Sequence, residues 1–203
     1  MTRAEDTVLV LLAAGQSARF GAANKLEQDF LGTPLGLHVA TALAAVPFRE
    51  RIAVTDDCDL DYASRQFRIV HNDAPDRGMA HSLGLGIAAA KAQGAEAVVI
   101  ALADMPRVTA AHIHRLLDAA QGDDAVVVSS DGTQPMPPGV FGKARFDFLM
   151  ALEGDQGARD LVRAGRHVVT SPAELIDIDT PDDLERLRAL VHAPERTITR
   201  PSC

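Results

Sequence analysis

Residues Val8 to Leu26 read VLVLLAAGQSARFGAANKL, an apolar run followed by a loop of small residues and then by an arginine and a lysine six positions apart. Five consecutive apolar residues, Val8 to Leu12, ended by small residues and Gly15, suit a strand buried on both faces of a parallel sheet. The loop that follows then lies at the strand's carboxyl end, where open α/β sheets bind their ligands. Gly15, with the slender Ala13, Ala14 and Ser17, lets backbone N–H groups approach a polyphosphate closely. Arg19 and Lys25 add positive charge to the same loop. A tight turn flanked by solvated charges would have the same letters, so the loop alone leaves both readings open.

Two familiar phosphate loops can be excluded directly. The stretch lacks the three-glycine spacing of the dinucleotide fingerprint and the Gly-Lys-Ser/Thr ending of a Walker loop. As a whole, LAAGQSARFGAANKL closely resembles the signature L-A-A-G-x-S-x-R-[MF]-G-x-x-x-K-L of the MobA-like nucleotidyltransferases, and within them the molybdenum cofactor cytidylyltransferases. That resemblance implies that Leu12, Ala13, Ala14, Gly15, Ser17, Arg19 and Lys25 contact the nucleotide, with Arg19 and Lys25 also catalytic.

Composition narrows the class. A chain of 203 residues, 47% hydrophobic, can bury one sizeable core, and its apolar runs fall short of the roughly twenty residues that span a bilayer. The opening MTRAEDT carries two acids and leads straight into the strand, unlike a signal peptide, so the expected location is cytoplasmic. A net charge of −8 argues against a nucleic-acid surface, which needs clustered Lys and Arg. Cys58 and Cys203 form neither a CxxC pair nor a metal set and read as free thiols.

Along the chain, Thr33 is expected to cap and Pro34 to open a helix over Leu35 to Val46, where Leu35, Val39, Leu43 and Val46 recur at helical spacing. Arg51–Thr55 and Phe67–Val70 read as short strands, with a short helix around Tyr62 between them. Asp56, Asp57, Asp59 and Asp61 lack the glycine and twelfth-position glutamate of a calcium loop, so they read as a solvated acidic loop. Met79 to Gln93 is a helix of small residues suited to close packing on a sheet. Gly78 and Ser82 sit near its start, either as an ordinary loop glycine and first-turn serine or, by resemblance to the family's G-x-x-x-S-L-x-x-G segment, as contacts to the base. Asn72, just upstream, is assigned to the same nucleotide site.

Ala97 to Pro106, AVVIALADMP, is a second central strand with Asp104 at its carboxyl end, the same sheet edge as the first loop. Asp104 could cap the following turn. A triphosphate, however, needs a hard cation, and Mg²⁺ is typically held by one or two carboxylates plus phosphate oxygens and water. ALADMP resembles the family's metal-binding L-x-D-M-P, which makes Asp104 both a catalytic residue and a metal ligand. Thr109 to Ala120 reads as an amphipathic helix; its His112 and His114 diverge at spacing two, cannot share a metal, and are expected to be exposed. Ala125–Ser130 is a further strand ending in the Asp131-Gly132 turn. Gln134 to Lys143, QPMPPGVFGK, reads as too proline-rich for regular structure before Val140-Phe141, and a helical pattern resumes over Ala144–Leu152.

The family places an x-P-x-x-F segment and a G-D-x-G-A-R loop beside the second substrate; by resemblance Pro138, Phe141, Gly157 and Arg159 bind the acceptor. Met136-Pro137 departs from the Asn or His that many relatives carry before the first proline. Finally, in Leu175 to Leu184, LIDIDTPDDL, alternation puts Leu175, Asp177 and Asp179 on one face of a short strand, and Thr180-Pro181-Asp182-Asp183 starts a helix. The segment resembles the family ending D-[IV]-[DN]-T-P-[ED]-[DE]-L, which implies that Asp179 is the second metal ligand with Asp177 behind it.

These elements predict an α/β fold, a three-layer α/β/α sandwich with a mostly parallel, Rossmann-like sheet, which the resemblance implies is of the nucleotide-diphospho-sugar transferase type. The expected single domain covers residues 6–192, followed by a disordered tail at 193–203. The residues alone reach a site for a metal-bound phosphorylated ligand. The resemblance extends this to a Mg-dependent transferase that moves CMP from CTP to the phosphate of molybdopterin, in service of a molybdoenzyme or its chaperone, with no nucleic acid and no membrane involved. Relatives that transfer GMP usually begin L-A-G-G with Asp before the lysine, whereas this chain has Leu12-Ala13-Ala14-Gly15 and Asn24-Lys25, the cytidine pattern. The alternatives are another acceptor or GTP, a nucleotide-binding cofactor chaperone without turnover, and a dinucleotide-dependent oxidoreductase, which the missing glycine fingerprint disfavours.

Overall fold

A computed structural model describes residues 1–14, 20, 24–56, 59–153 and 159–192 of the chain. Strand β1 (Thr7–Ala13) is buried along its whole length, as its apolar letters require. Its side chains alternate between two cores. Leu9, Leu11 and Ala13 face one apolar cluster, while Val8, Val10 and Leu12 face another. A strand that must serve two cores cannot carry a polar face, which is why this segment reads as a continuous apolar run.

The other strands and α-helices among the described residues begin with the short strands β2 (Asp29–Phe30) and β3 (Thr33–Pro34), helix α1 (Leu37–Ala42), β4 (Glu50–Thr55), β5 (Arg68–His71), α2 (Met79–Ala92), β6 (Ala97–Leu102) and α3 (Ala110–Ala119). They continue with β7 (Val126–Ser130), β8 (Pro135–Gly142), α4 (Phe146–Met150), α5 (Arg159–Ala164), β9 (Arg166–Val169) and α6 (Pro181–His192). Among the described residues, the main sheet has seven strands in the order β5-β4-β1-β6-β8-β7-β9. All pairings are parallel except the two made by β8. The expected mostly parallel α/β architecture is therefore present. No helix among the described residues is long and apolar enough to cross a membrane.

One core side holds residues of α1 and α3, and the other holds residues of α2 and α4. A third, smaller cluster of Phe30, Leu35, Ile178, Leu184 and Leu187 packs α6 against the β2–β3 hairpin. That cluster fixes the two chain segments flanking the carboxyl edge of the sheet.

Several local expectations need correction. Thr33 and Pro34 do not start a helix; they pair with Asp29–Phe30 in an antiparallel hairpin, and α1 is shorter, with Gly36 preceding it. His112 is not exposed. It is completely buried, with its imidazole bonded to Ser129, because its helix packs on β7 and β8 rather than lying at the surface. The proline-rich stretch forms strand β8. Its pairing skips Pro137 and Pro138, where the register with β7 shifts between Val128 and Ser129, so the missing proline N–H groups break no ladder bond there. Leu175–Asp179 is no strand either: a 3₁₀ turn at Pro172–Leu175 leads into an extended segment whose buried residue is Ile178. The helix start at Thr180 is as expected, since Thr180 Oγ1 accepts from Asp183 N and Asp183 Oδ2 accepts from Thr180 N. Helix α5 and strand β9 carried no signal strong enough to be read from sequence.

The small residues of α2 bring it against the sheet. A Cβ on Gly86 would lie 2.4 Å from Val10 Cγ1 and 3.1 Å from Val54 Cγ2, both in β-branched side chains of the core, whereas one on Gly84 would meet only ordinary contacts, 3.7 Å from the Met150 carbonyl. Replacing glycine by alanine inside a helix gains about 1 kcal/mol of propensity, while overpacking costs about 1–3 kcal/mol. Gly84→Ala is accordingly expected to be neutral or stabilising and Gly86→Ala destabilising, by up to about 2 kcal/mol net. Urea unfolding of the two variants measures the difference; equal stabilities would show that β1 yields to the helix.

Candidate active site

Asp104 lies two residues past the end of β6 and is the natural terminus of an apolar strand that can tolerate charge only where it leaves the core. Lys25 begins a 3₁₀ turn, Lys25–Glu27, whose N-cap is Asn24; the Asn24 carboxamide oxygen accepts from Leu26 N at 3.0 Å. Asp177 and Asp179 flank the buried Ile178, whose N–H donates to the Asp104 carbonyl at 3.1 Å. This backbone bond ties the acidic segment to the end of β6.

The result is a compact charged cluster. Lys25 Nζ donates to Asp104 Oδ2 at 2.6 Å and to Asp179 Oδ1 at 3.3 Å. Oxygens from Asp104, Asp177 and Asp179 all lie within 4.8 Å of one another. Lys25 and Asp104 are nearly enclosed, with side chains 12% and 17% exposed, so their attraction is weakly screened, while Asp179 is half exposed. Burial opposes the charge on Lys25, but Asp104 outweighs it, together with Asp177 and Asp179, and holds the ammonium above its ordinary pKa. Although Asp177 retains solvent access, the protein crowding its carboxyl and the neighbouring charge of Asp104 push it up to about 7, against the pull of Lys25.

Asp104 Oδ1 is buried without a hydrogen-bond partner among the described residues. A buried, unsatisfied carboxylate oxygen beside two further carboxylates is the donor set that a hard divalent cation prefers, so the residues fit such an ion.

Next to this edge, on the α2 and α4 side of the sheet, lies an apolar cavity of about 420 Å³. Leu12, Leu102, Phe141 and Arg159 are among its lining residues. Pro138 is not: it is buried in the sheet with its carbonyl accepting from Ser129, and Pro135, Met136 and Pro137 form the wall instead. Met79, Ala80 and Leu83 from the first turns of α2 also contribute, which their small-residue helix pattern did not disclose.

Ala13 is buried and Ala14 half-buried at the end of β1. Asn72 and Ser82 are both buried and bonded to each other at 2.8 Å, and Asn72 Oδ1 accepts from Ala74 N. They fasten the loop that leads to α2. Gly78, the residue before α2, has φ +82°, a conformation that side chains disfavour. Gly15, Ser17, Arg19 and Gly157 lie outside the described residues, as do Cys58 and Cys203.

Comparison with known proteins adds a family to this geometry. A family model described as the MobA-like NTP transferase domain matches residues 9–169. The purine catabolism protein PucB of Bacillus subtilis (strain 168) is 32% identical over 200 residues, covering 88% of this chain and 94% of that protein. A probable molybdenum cofactor guanylyltransferase of Natronomonas pharaonis is 27% identical over 209 residues, covering 88% and 95%. Among solved structures, the homologue of Mycobacterium tuberculosis rv0371c from Mycobacterium sp. strain JC1 aligns with a TM-score of 0.75 at 26% identity, covering 92% of this chain and 97% of that one.

The charge balance of the cluster leads to a stability prediction. Lys25→Met keeps most of the side-chain bulk but leaves three neighbouring carboxylates without their ammonium. Removing one partner of a fully buried pair costs about 3–5 kcal/mol, and the partial exposure here reduces this to about 1–2 kcal/mol. Urea unfolding in EDTA is expected to show that loss, and added Mg²⁺ or Mn²⁺ is expected to stabilise the variant more than the wild type. An unchanged midpoint in EDTA would mean that Lys25 does not balance the acids.

Proposed function

We propose that this chain, which belongs to the MobA-like NTP transferase family and is a nucleotidyltransferase, moves CMP from CTP onto the phosphate of molybdopterin with release of pyrophosphate. The observation that carries the proposal is the meeting of Lys25, Asp104 and Asp179 at the carboxyl edge of the sheet, beside a cavity with room for a second substrate. The unit performing this activity is residues 6–192.

In the reaction a phosphate oxygen of the acceptor attacks the α-phosphorus of the nucleotide, a new P–O–P linkage forms, and the bond to the β-phosphate breaks. Asp104 and Asp179 would hold a divalent cation, Mg²⁺ in this proposal, with Asp177 behind them. Such an ion, when bound, neutralises charge on the transferred and departing phosphates. Lys25 supplies a fixed positive charge at the same edge, and its raised pKa keeps it protonated across the working pH range. Arg19 and the loop of Ala14, Gly15 and Ser17 are assigned to the triphosphate, and Asn72, Gly78 and Ser82 to shaping the base pocket. Phe141 and Arg159, both lining the cavity, with Pro138 and Gly157, are assigned to the acceptor: an apolar wall for a ring and a cation for a phosphate. The molybdenum link is supported by the relative named a probable molybdenum cofactor guanylyltransferase. That name favours GTP as a second reading. CTP is preferred because Ala14 puts a methyl group where a glycine would leave room for a purine and because Asn24, rather than Asp, precedes Lys25.

Asp104→Ala removes the proposed metal ligand without touching the core strand. Pyrophosphate release from CTP and molybdopterin is expected to fall about a hundred- to a thousandfold, of the order seen when a principal charge stabiliser is lost, with the far-UV circular dichroism unchanged. Wild-type turnover in that variant would remove Asp104 from the reaction.

Nucleotide choice gives the sharper test. CTP is expected to exceed GTP by at least about tenfold in kcat/KM, roughly 1.4 kcal/mol, and Ala14→Gly is expected to narrow the gap by raising GTP use. Equal use of the two by the unaltered protein would leave the nucleotidyltransferase assignment without its cytidine preference, and binding of CTP without pyrophosphate release from any acceptor would point to a chaperone.

A further inference from the structure

His112 is fully buried on α3, and its surroundings determine its protonation. The Pro138 carbonyl can only accept, so the Ser129 hydroxyl hydrogen lies toward it, at 2.7 Å. Ser129 Oγ is then an acceptor for His112 Nε2, also at 2.7 Å, which requires a proton on Nε2. The other ring nitrogen, Nδ1, accepts from Arg115 Nη2 at 3.0 Å. Both nitrogens are satisfied only in the neutral Nε2–H form. Burial depresses the His112 pKa; Glu174 opposes this and Arg115 adds to it.

The two ends of this imidazole reach different parts of the active site. Through Ser129 it holds the Pro138 carbonyl where the β7–β8 register shifts and the pairing skips Pro138. Pro135, Met136, Pro137 and Gly139 around that point wall the cavity on the opposite face of the sheet. On the other side, Arg115 Nη2 also donates to Thr170 Oγ1 at 2.8 Å and lies 3.7 Å from Glu174 Oε2. Glu174 accepts from both Thr109 and Thr170 and belongs to the turn that leads to Asp177 and Asp179.

We infer that His112 is a positioning residue for the acceptor side of the reaction, fixing the cavity wall at Pro138 through Ser129 and, through Arg115, the segment that carries Asp177 and Asp179. The catalytic consequence rests on the reading that this cavity takes the acceptor. The imidazole touches neither substrate; it holds two backbone segments in one relative arrangement from behind the sheet.

The test compares His112→Leu, His112→Gln and Ser129→Ala in the full chain. Hydrogen exchange is expected to rise at least about fivefold over residues 136–142 and 176–180 in His112→Leu, over 136–142 alone in Ser129→Ala, and less in His112→Gln, which keeps a donor. Exchange over residues 8–13 is expected to stay unchanged in all three. The KM for molybdopterin in His112→Leu is expected to rise about fivefold while that for CTP stays within about twofold, and ¹⁵N NMR of the wild type at pH 7 is expected to show the Nε2–H tautomer. A protonated or Nδ1–H ring, unchanged exchange in both segments, loosening that spreads equally to residues 8–13, a parallel rise in both KM values, or a glutamine no better than leucine would each overturn the inference. A wild type that turns over CTP with another phosphorylated acceptor but not with molybdopterin would overturn the choice of acceptor alone, leaving the exchange and NMR results to decide the role of His112.

Discussion

Like charges held within a few ångströms of one another at the edge of an apolar sheet constrain everything around them. Asp104, Asp177 and Asp179 repel, and Asp104 is too enclosed for water to relieve it. Lys25 relieves the repulsion by bonding both Asp104 and Asp179. An ammonium in that position does for the carboxylates what a divalent cation would do with greater charge. In the proposed reaction the same arrangement would receive a metal and a polyphosphate together, the phosphates offering Lys25 a new partner as an ion takes over the acids.

Holding repelling groups together requires force from elsewhere, and the third apolar cluster supplies part of it. Ile178 is completely buried with Phe30, Leu35, Leu184 and Leu187, and it stands between the two exposed acids. Full burial of such a side chain contributes about 1.5–3 kcal/mol, within the range of about 1–4 kcal/mol for two partly solvated like charges about 4 Å apart. Its N–H bond to Asp104 sets the spacing of the acids directly. The small hairpin, remote from the main sheet in the hydrogen-bond network, is the floor on which α6 delivers its preceding acids.

Legibility from sequence followed the range of the interactions. The strands β1 and β6, and Asp104 just past the second, were readable because a strand buried on both faces leaves a continuous apolar run, and because charge soon after such a run must sit at the sheet edge; Lys25 and Asp179 follow no such run closely and were singled out by resemblance. Helix α2 was readable from its small residues. His112 was not, since its partner Ser129 is 17 positions away, the Pro138 carbonyl that Ser129 in turn bonds is more distant still, and a histidine on an amphipathic helix has no local mark of burial. The segment at Leu175–Asp179 was misread for a related reason: alternation of apolar and acidic residues looks like a strand, but here Ile178 answers to the hairpin cluster and no neighbouring strand is available to pair. Arg159 and Phe141, singled out by resemblance alone, both line the cavity, whereas Pro138 lies on the other side of the strand from its lining neighbour Pro137, a distinction set by the one-residue pleat of the strand.

Strand β8 explains why a cavity opens where it does. It enters between β6 and β7 against the parallel grain of the sheet, so its first residues, Pro135 to Pro138, lie toward the carboxyl ends of its neighbours. Pairing with β6 runs from Ala97–Gly142 to Ile100–Gly139 and stops there, leaving the last residues of β6 without that neighbour. Prolines past this point have no N–H to donate toward β6, although Met136 and Pro135 still pair with β7. A sheet that ends its pairing early must obtain its shape from side chains, and Ser129 and His112 provide that shape from the opposite face. An unpaired edge alone would be mobile and prone to recruit another strand. Fixed from behind by a buried neutral imidazole, it becomes a rigid wall beside the charged edge instead.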